Sequence, residues 1–162
     1  RYEDNLDLRQ PRATDRFHLA RRQVKLVNIL QGVMRTAALR RTGQLGAYFA
    51  SDLVLVPELA LYGQFHELSE SLFYRRMHAG ASSSITTVEG EWQYWDPLAG
   101  QGRKAPASTW QHHYGYARAV LRAPLPLGEK LDLLWGVLRY AVADRDDLLL
   151  ELRQTVSSRA GR

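Results

Sequence analysis

The residues of this chain best suited to chemistry lie in one stretch, positions 50–84, ASDLVLVPELALYGQFHELSESLFYRRMHAGASSS. A carboxylate, Asp52, stands at the start of an apolar run. Downstream come two guanidiniums, Arg75 and Arg76, an imidazole, His78, then Gly80 and the hydroxyls of Ser82, Ser83 and Ser84. A carboxylate held near a hydroxyl can act as its general base. Guanidiniums bind a diphosphate through forked hydrogen bonds. A neutral imidazole can complete the oxygen shell of a divalent ion, Mg²⁺ or Mn²⁺, that bridges such a diphosphate. Ser82 and its neighbours offer hydroxyl and backbone donors to phosphate oxygens. Together these types suit a phosphorylated sugar donor and a hydroxyl acceptor.

Each group also has a plainer reading. An acidic residue in a first helical turn complements the helix dipole by a few tenths to about 1 kcal/mol, which is reason enough for Asp52. A single histidine such as His78 is ordinary on a surface, and Gly80 with three serines also describes a plain loop. In an extended segment Arg75 and Arg76 face opposite ways while Arg76 and His78 share a face, so Arg76 is the better diphosphate contact. His112 and His113 are adjacent on a predicted helix and do not share a face, which argues against a metal site. Trp92, Tyr94 and Trp95 either stack on a sugar or pin a loop. The sequence holds no Gly-rich phosphate loop, no Gly-x-Ser-x-Gly elbow and no His-Glu-x-x-His.

The elements that must position these groups follow from pattern and punctuation. With 162 residues the chain is the size of one domain with a real core. Positions 1–16 are polar, interrupted by Pro11, and read as an extended entry with too little apolar content to anchor itself. Positions 17–28 carry a loose helical spacing, 29–33 a short buried strand, and 35–41 a short helix ended by Gly43. Positions 52–62 predict a helix capped by Ser51 and ended by Gly63, with Leu53, Val56, Leu59 and Ala60 as its buried face. Pro57 is awkward there, since it removes a backbone donor; the helix is either kinked or begins near Val56. Positions 65–74 read as two extended pieces around a turn.

From 79 to 108 glycine, serine, alanine and proline dominate, a loop longer than an ordinary connection. Helices are then predicted over 110–122, capped by Ser108 or Thr109, over 127–142, and over 144–156, with 157–162 a disordered tail. In the second of these, Leu131, Leu134, Trp135, Leu138 and Ala141 fall on one face. That face can cover the core, a partner subunit or a membrane.

The formal charge of +5 suits an anionic ligand or membrane surface. The absence of any run of five basic residues argues against a dedicated nucleic-acid binder. There are no cysteines, which excludes disulfides and thiolate metal sites and fits a reducing cytoplasm. No apolar stretch reaches the roughly 18 residues of a membrane span. The first residue is Arg1 rather than Met, so the chain reads as a piece of something longer.

The order of motifs over positions 28–84 resembles the C-terminal half of inverting family 2 glycosyltransferases with the GT-A fold, especially actinobacterial members. The resemblance rests on GVMRTAALRRTG at 32–43, Ser51-Asp52-Leu53-Val54-Leu55, Gly63-Gln64-Phe65, and Phe73-Tyr74-Arg75-Arg76-Met77-His78 followed by Ser82 to Ser84. Ser51-Asp52 replaces the commoner Glu-Asp pair, and Pro57 intrudes into the next helix. The family's donor half, with its Asp-x-Asp-like metal motif, has no counterpart in these residues.

The resemblance implies an α/β chain, mainly helical with a few short strands. Positions 1–84 would form the acceptor side of a GT-A domain, 85–108 a long loop and 109–156 a helical extension. It implies that Asp52 deprotonates the acceptor hydroxyl, that Arg75, Arg76 and Ser82 hold the diphosphate, and that His78 helps hold the metal. The expected partners are a nucleotide-sugar donor and a hydroxyl acceptor, in the cytoplasm or at the inner face of its membrane. The isolated piece is expected to be inactive. The competing expectation is a non-catalytic helical module whose basic face binds an acidic partner or membrane surface.

Overall fold

The computed structural model describes residues 5–46, 48–74, 76, 78, 81, 85 and 108–160, with side chains to 153. The described residues form six α-helices and one 3₁₀ turn: α1 (Ala13–Gln23), the 3₁₀ turn (Asn28–Gln31), α2 (Thr36–Leu39), α3 (Asp52–Tyr62), α4 (Ser108–Arg122), α5 (Leu127–Ala143) and α6 (Arg145–Ala160). No strand occurs among them. This corrects the α/β expectation: the fold is a helical bundle. The segment expected as a buried strand at 29–33 is instead the 3₁₀ turn, none of whose residues is buried, followed by a fully exposed Val33. Residues 65–74 are irregular, with a bend at Ser69 and Glu70, and form no ladder among the described residues. Phe65 N–H bonds the Leu8 carbonyl at 3.0 Å. β-pattern marks a segment able to be a strand, but a strand exists only where a neighbour supplies the other half of its hydrogen bonds.

The bundle is organised around α3. Every residue of this helix from Val54 through Leu61 is buried, because the sequence is apolar on all sides and α1 and α4 pack against it. α5 lies against α4 and α1, and α6 contacts α4 and α5. Phe17 of α1, Val54 and Leu61 of α3, Tyr116 and Val120 of α4, and Leu133 and Val137 of α5 share one apolar cluster. A second gathers Leu6, Leu8, Ala20, Val24, Val56 and Ala60.

That second cluster shows why the polar entry is anchored after all. Leu6 and Leu8 are almost fully buried. The buried Arg16 ties three pieces of chain together: Nε donates to the Ala60 carbonyl at 2.9 Å, and Nη1 donates to the Gln10 and Pro11 carbonyls at 2.6 and 2.9 Å. Ala60 lies in the last turn of α3, where carbonyls lack helical partners and the dipole favours a cation.

Inside α3 one charge is buried. Glu58 is 2% exposed; it accepts the Gly43 N–H at 3.0 Å and pairs with Arg122 of α4. The pair links the loop after α2, the middle of α3 and the end of α4. The helix starts at Asp52 with Pro57 inside it, not near Val56. Pro57 withholds the N–H that would bond the Leu53 carbonyl one turn back. The Tyr116 hydroxyl donates to that carbonyl instead, at 3.2 Å.

α1 meets α5 through side chains spaced by turns of helix. A Cβ at Gly136 would lie 2.4 Å from His18 Cε1, so glycine there lets the imidazole rest on the α5 backbone. One turn on, Tyr140 Oη lies 2.7 Å from His18 Nδ1. One turn further, Asp144 Oδ2 accepts from Arg21 Nη2 at 3.2 Å. The Arg21 guanidinium also stacks 3.7 Å above the Tyr140 ring centroid.

This docking fixes the α5 face, and the stripe whose covering the sequence left open lies mostly outside the core, with Leu134 and Ala141 half-buried at its edge. Leu133 and Val137 are buried, whereas Leu131, Trp135 and Leu138 are exposed. Two termini also differ from expectation: α1 starts at Ala13 and ends at Gln23, and α6 continues to Ala160 through part of the predicted tail.

Candidate functional site

Arg21, Val24, Leu53, Thr109, His112, His113, Tyr116 and Asp144 line a cleft of about 210 Å³ between α1, the head of α3, α4 and the α5–α6 junction. Its polar centre is the Asp144 carboxylate, which sits just past the end of α5. Oδ2 accepts from His113 Nε2 at 3.0 Å and from Arg21 Nη2 at 3.2 Å. With the carboxylate ionised, Nε2 carries the proton and Nδ1 is left as an acceptor. Nδ1 is buried without a hydrogen-bond partner, and so is the Nε–H donor of Arg21.

Burial pushes the His113 pKa below the ordinary imidazole value, and the opposing pull of Asp144 does not overcome it. The ring is therefore held neutral and oriented by a carboxylate. Burial pushes the Tyr116 hydroxyl up to about 12, so it stays a donor to the Leu53 carbonyl. His112 Nε2 bonds the Phe49 carbonyl at 3.0 Å, fixing the chain just before α3. The His113 Nδ1 acceptor and the Arg21 Nε–H donor are thus two unsatisfied polar atoms buried in the wall behind the cleft.

Asp52 opens α3 next to cleft-lining Leu53. It is partly exposed, and its Oδ1 accepts the Leu53 N–H at 3.0 Å. The same N–H also bonds the Ala50 carbonyl at 3.1 Å, and Asp52 is the acidic residue of the first turn, where a carboxylate complements the helix dipole. Ser51 is buried and makes no side-chain cap. Arg76 and His78 are exposed and lie in irregular chain, with the Ala81 N–H bonded to the His78 carbonyl at 2.9 Å. The shared face predicted for them assumed a strand that does not form. None of Asp52, Arg76 and His78 is among the cleft-lining residues. Arg75 and Ser82 lie outside the described residues, as do Trp92, Tyr94 and Trp95.

No group of three or more His, Asp or Glu placed to hold a metal ion occurs among the described residues. They do not by themselves build a divalent-ion site around His78. His112 and His113 bond different partners, the Phe49 carbonyl and Asp144, and both line the cleft. No helix among the described residues is long and apolar enough to cross a membrane.

The sequence named His113 but not its role. Its partner Asp144 lies 31 residues on, and Arg21 reaches Asp144 across 123 residues. Neither pairing has a local signature. Comparisons with protein-family models, with curated proteins and with solved structures return no match.

Proposed function

We propose that this chain supplies the acceptor side of an inverting glycosyltransferase that transfers a sugar from a nucleotide-diphospho-sugar to a hydroxyl. The reading rests on the ordered motifs that carry the family resemblance. The structural observation that supports it is the placement of Asp52 at the head of the most buried helix, one residue from Leu53, which lines a cleft with Thr109, His112 and Asp144. Burial of α3 on all sides makes its first turn a fixed platform, which a general base needs.

In this reading the acceptor enters the cleft beside Arg21 and His113, and its reacting hydroxyl gives its proton to Asp52 as the oxygen attacks the anomeric carbon. The bond from that carbon to the diphosphate breaks, and the pair of electrons leaves with the diphosphate. Arg76 and His78, with Arg75 and Ser82, meet the charge that develops there. A divalent ion bound at the diphosphate would neutralise part of that charge; its ligands besides His78 come from outside the described residues.

The test is donor turnover by the full-length polypeptide carrying this chain, with UDP- and GDP-sugars and Mn²⁺ or Mg²⁺. Asp52→Asn should lower turnover by at least about 100-fold, the usual scale for a general base, while nucleotide binding persists. Near-normal turnover by that variant removes Asp52 from the chemistry.

A further inference from the structure

Among the described residues the outer face of α5 joins neither the buried core clusters nor the cleft lining. Leu127, Leu131, Trp135, Leu138 and Val142 are 73, 58, 61, 52 and 55% exposed. At about 100° per residue their spacing confines them to an arc of roughly 80° along the whole helix. Large side chains in such a row, more exposed than covered, mark an interaction surface rather than scattered surface residues.

The charges beside the stripe decide what covers it. α5 itself carries two acidic residues, Glu129 and Asp132, and two basic ones, Lys130 and Arg139, with no basic excess. This argues against an anionic lipid surface, which recruits apolar faces bordered by excess basic residues. The stripe is instead complementary to itself. Reversing the helix about the midpoint between Leu134 and Trp135 exchanges Leu127 with Val142 and Leu131 with Leu138. Asp132 and Arg139 both lie on the same flank of the stripe. Both are exposed, and neither enters an ion pair among the described residues.

In an antiparallel pair related by a two-fold axis, the same flank of each helix faces the other. Asp132 of one copy then comes level with Arg139 of the second to within about two residues, or roughly 3 Å along the axis. The same pair recurs at the other end.

We propose that two copies of this chain associate through antiparallel α5 helices, with Leu131 and Leu138 interleaved at the centre and reciprocal Asp132–Arg139 pairs along one flank. The surface is isologous, as closed dimers require. It lies apart from the cleft and does not depend on the activity proposed above.

Sedimentation equilibrium and light scattering from about 1 to about 100 µM, the range in which a modest self-association titrates, test it on the whole chain. The expected result is a reversible monomer–dimer equilibrium that Leu131→Asp abolishes while the helical circular-dichroism signal persists. Asp132→Arg and Arg139→Asp alone should each weaken dimerisation about tenfold by placing like charges together at both ends. The double swap should restore it. A monomer at every concentration, a dimer indifferent to Leu131→Asp, or a double swap as weak as the single ones overturns the proposal. So does a monomer that binds phosphatidylcholine–phosphatidylglycerol vesicles through Leu131.

Discussion

α3 and α5 are both helices rich in leucine and valine, and they meet opposite fates. α3 is apolar on every side and is buried on every side. α5 has two apolar faces; the bundle takes the narrow one, Leu133 and Val137, and leaves the broad one with Trp135 outside. The choice is made by polar docking. Gly136, Tyr140 and Asp144 present one turn-spaced row, and His18 and Arg21 of α1 engage it. These oriented polar contacts and the glycine hold α5 with Leu133 and Val137 turned inward.

The largest expected effect breaks the comparison at the buried side. Phe17 is fully buried, with edge-to-face contacts to His18 and to Tyr116, the latter at 6.0 Å between centroids. Phe17→Ala should cost about 4 kcal/mol in urea unfolding, the usual loss for an aromatic cavity. Leu131→Ala on the outer stripe, measured where the chain is monomeric, should change stability by under about 0.5 kcal/mol. Comparable losses at the two sites would mean that the exposed face of α5 is packed within the monomer.

These two helices also show what the sequence could tell. The end of α3 was legible from Gly63, while its start was left open between Asp52 and Val56 by Pro57, and α4 and α5 were bracketed by Ser108, Pro124 and Pro126. Strands were over-read at 29–33 and 65–74 because alternation is local while a ladder partner is not. The anchoring of the entry segment was missed for the same reason: Arg16 acts through carbonyls of Gln10, Pro11 and the distant Ala60. Asp52 was legible as a candidate from its position. The cleft was not, since His113, Asp144 and Arg21 converge only in the fold.

A smaller effect tests how α3 tolerates its proline. If the Tyr116 hydroxyl replaces the donor that Pro57 lacks, Tyr116→Phe leaves the Leu53 carbonyl without a partner in a buried setting. The expected cost is about 1–2 kcal/mol. With Pro57→Ala in place, the backbone N–H gained at position 57 serves that carbonyl, and the same Tyr116→Phe change should cost about 1 kcal/mol less. The double-mutant cycle isolates the link. Equal costs in the two backgrounds would show that the hydroxyl matters for some other reason, and that α3 owes its continuity through Pro57 to packing alone.

The smallest effect concerns the seam between the α3 core and the outer helices. His18 joins α1 to α5 and faces Asp132, Asp15, Arg21 and Arg22. His113 joins α4 to the α5–α6 junction and faces Asp144, Arg21 and His112. Burial lowers both pKa values, so the unfolded chain takes up these protons first. Their stabilising contribution is complete above the unfolded value of about 6.5 and is lost as the pH falls through that value toward the lower folded ones. Asp7, held below its usual range chiefly by a hydrogen bond from Arg9, stays ionised between about pH 5 and 7 and does not contribute there. The melting midpoint should therefore fall from about pH 7 to about pH 5, and the slope should flatten in the His18→Gln, His113→Gln double variant. Hydrogen exchange should rise in α5 at the lower pH before it rises in α3. The reverse order would place the weak seam inside the core and undo the contrast between the two helices.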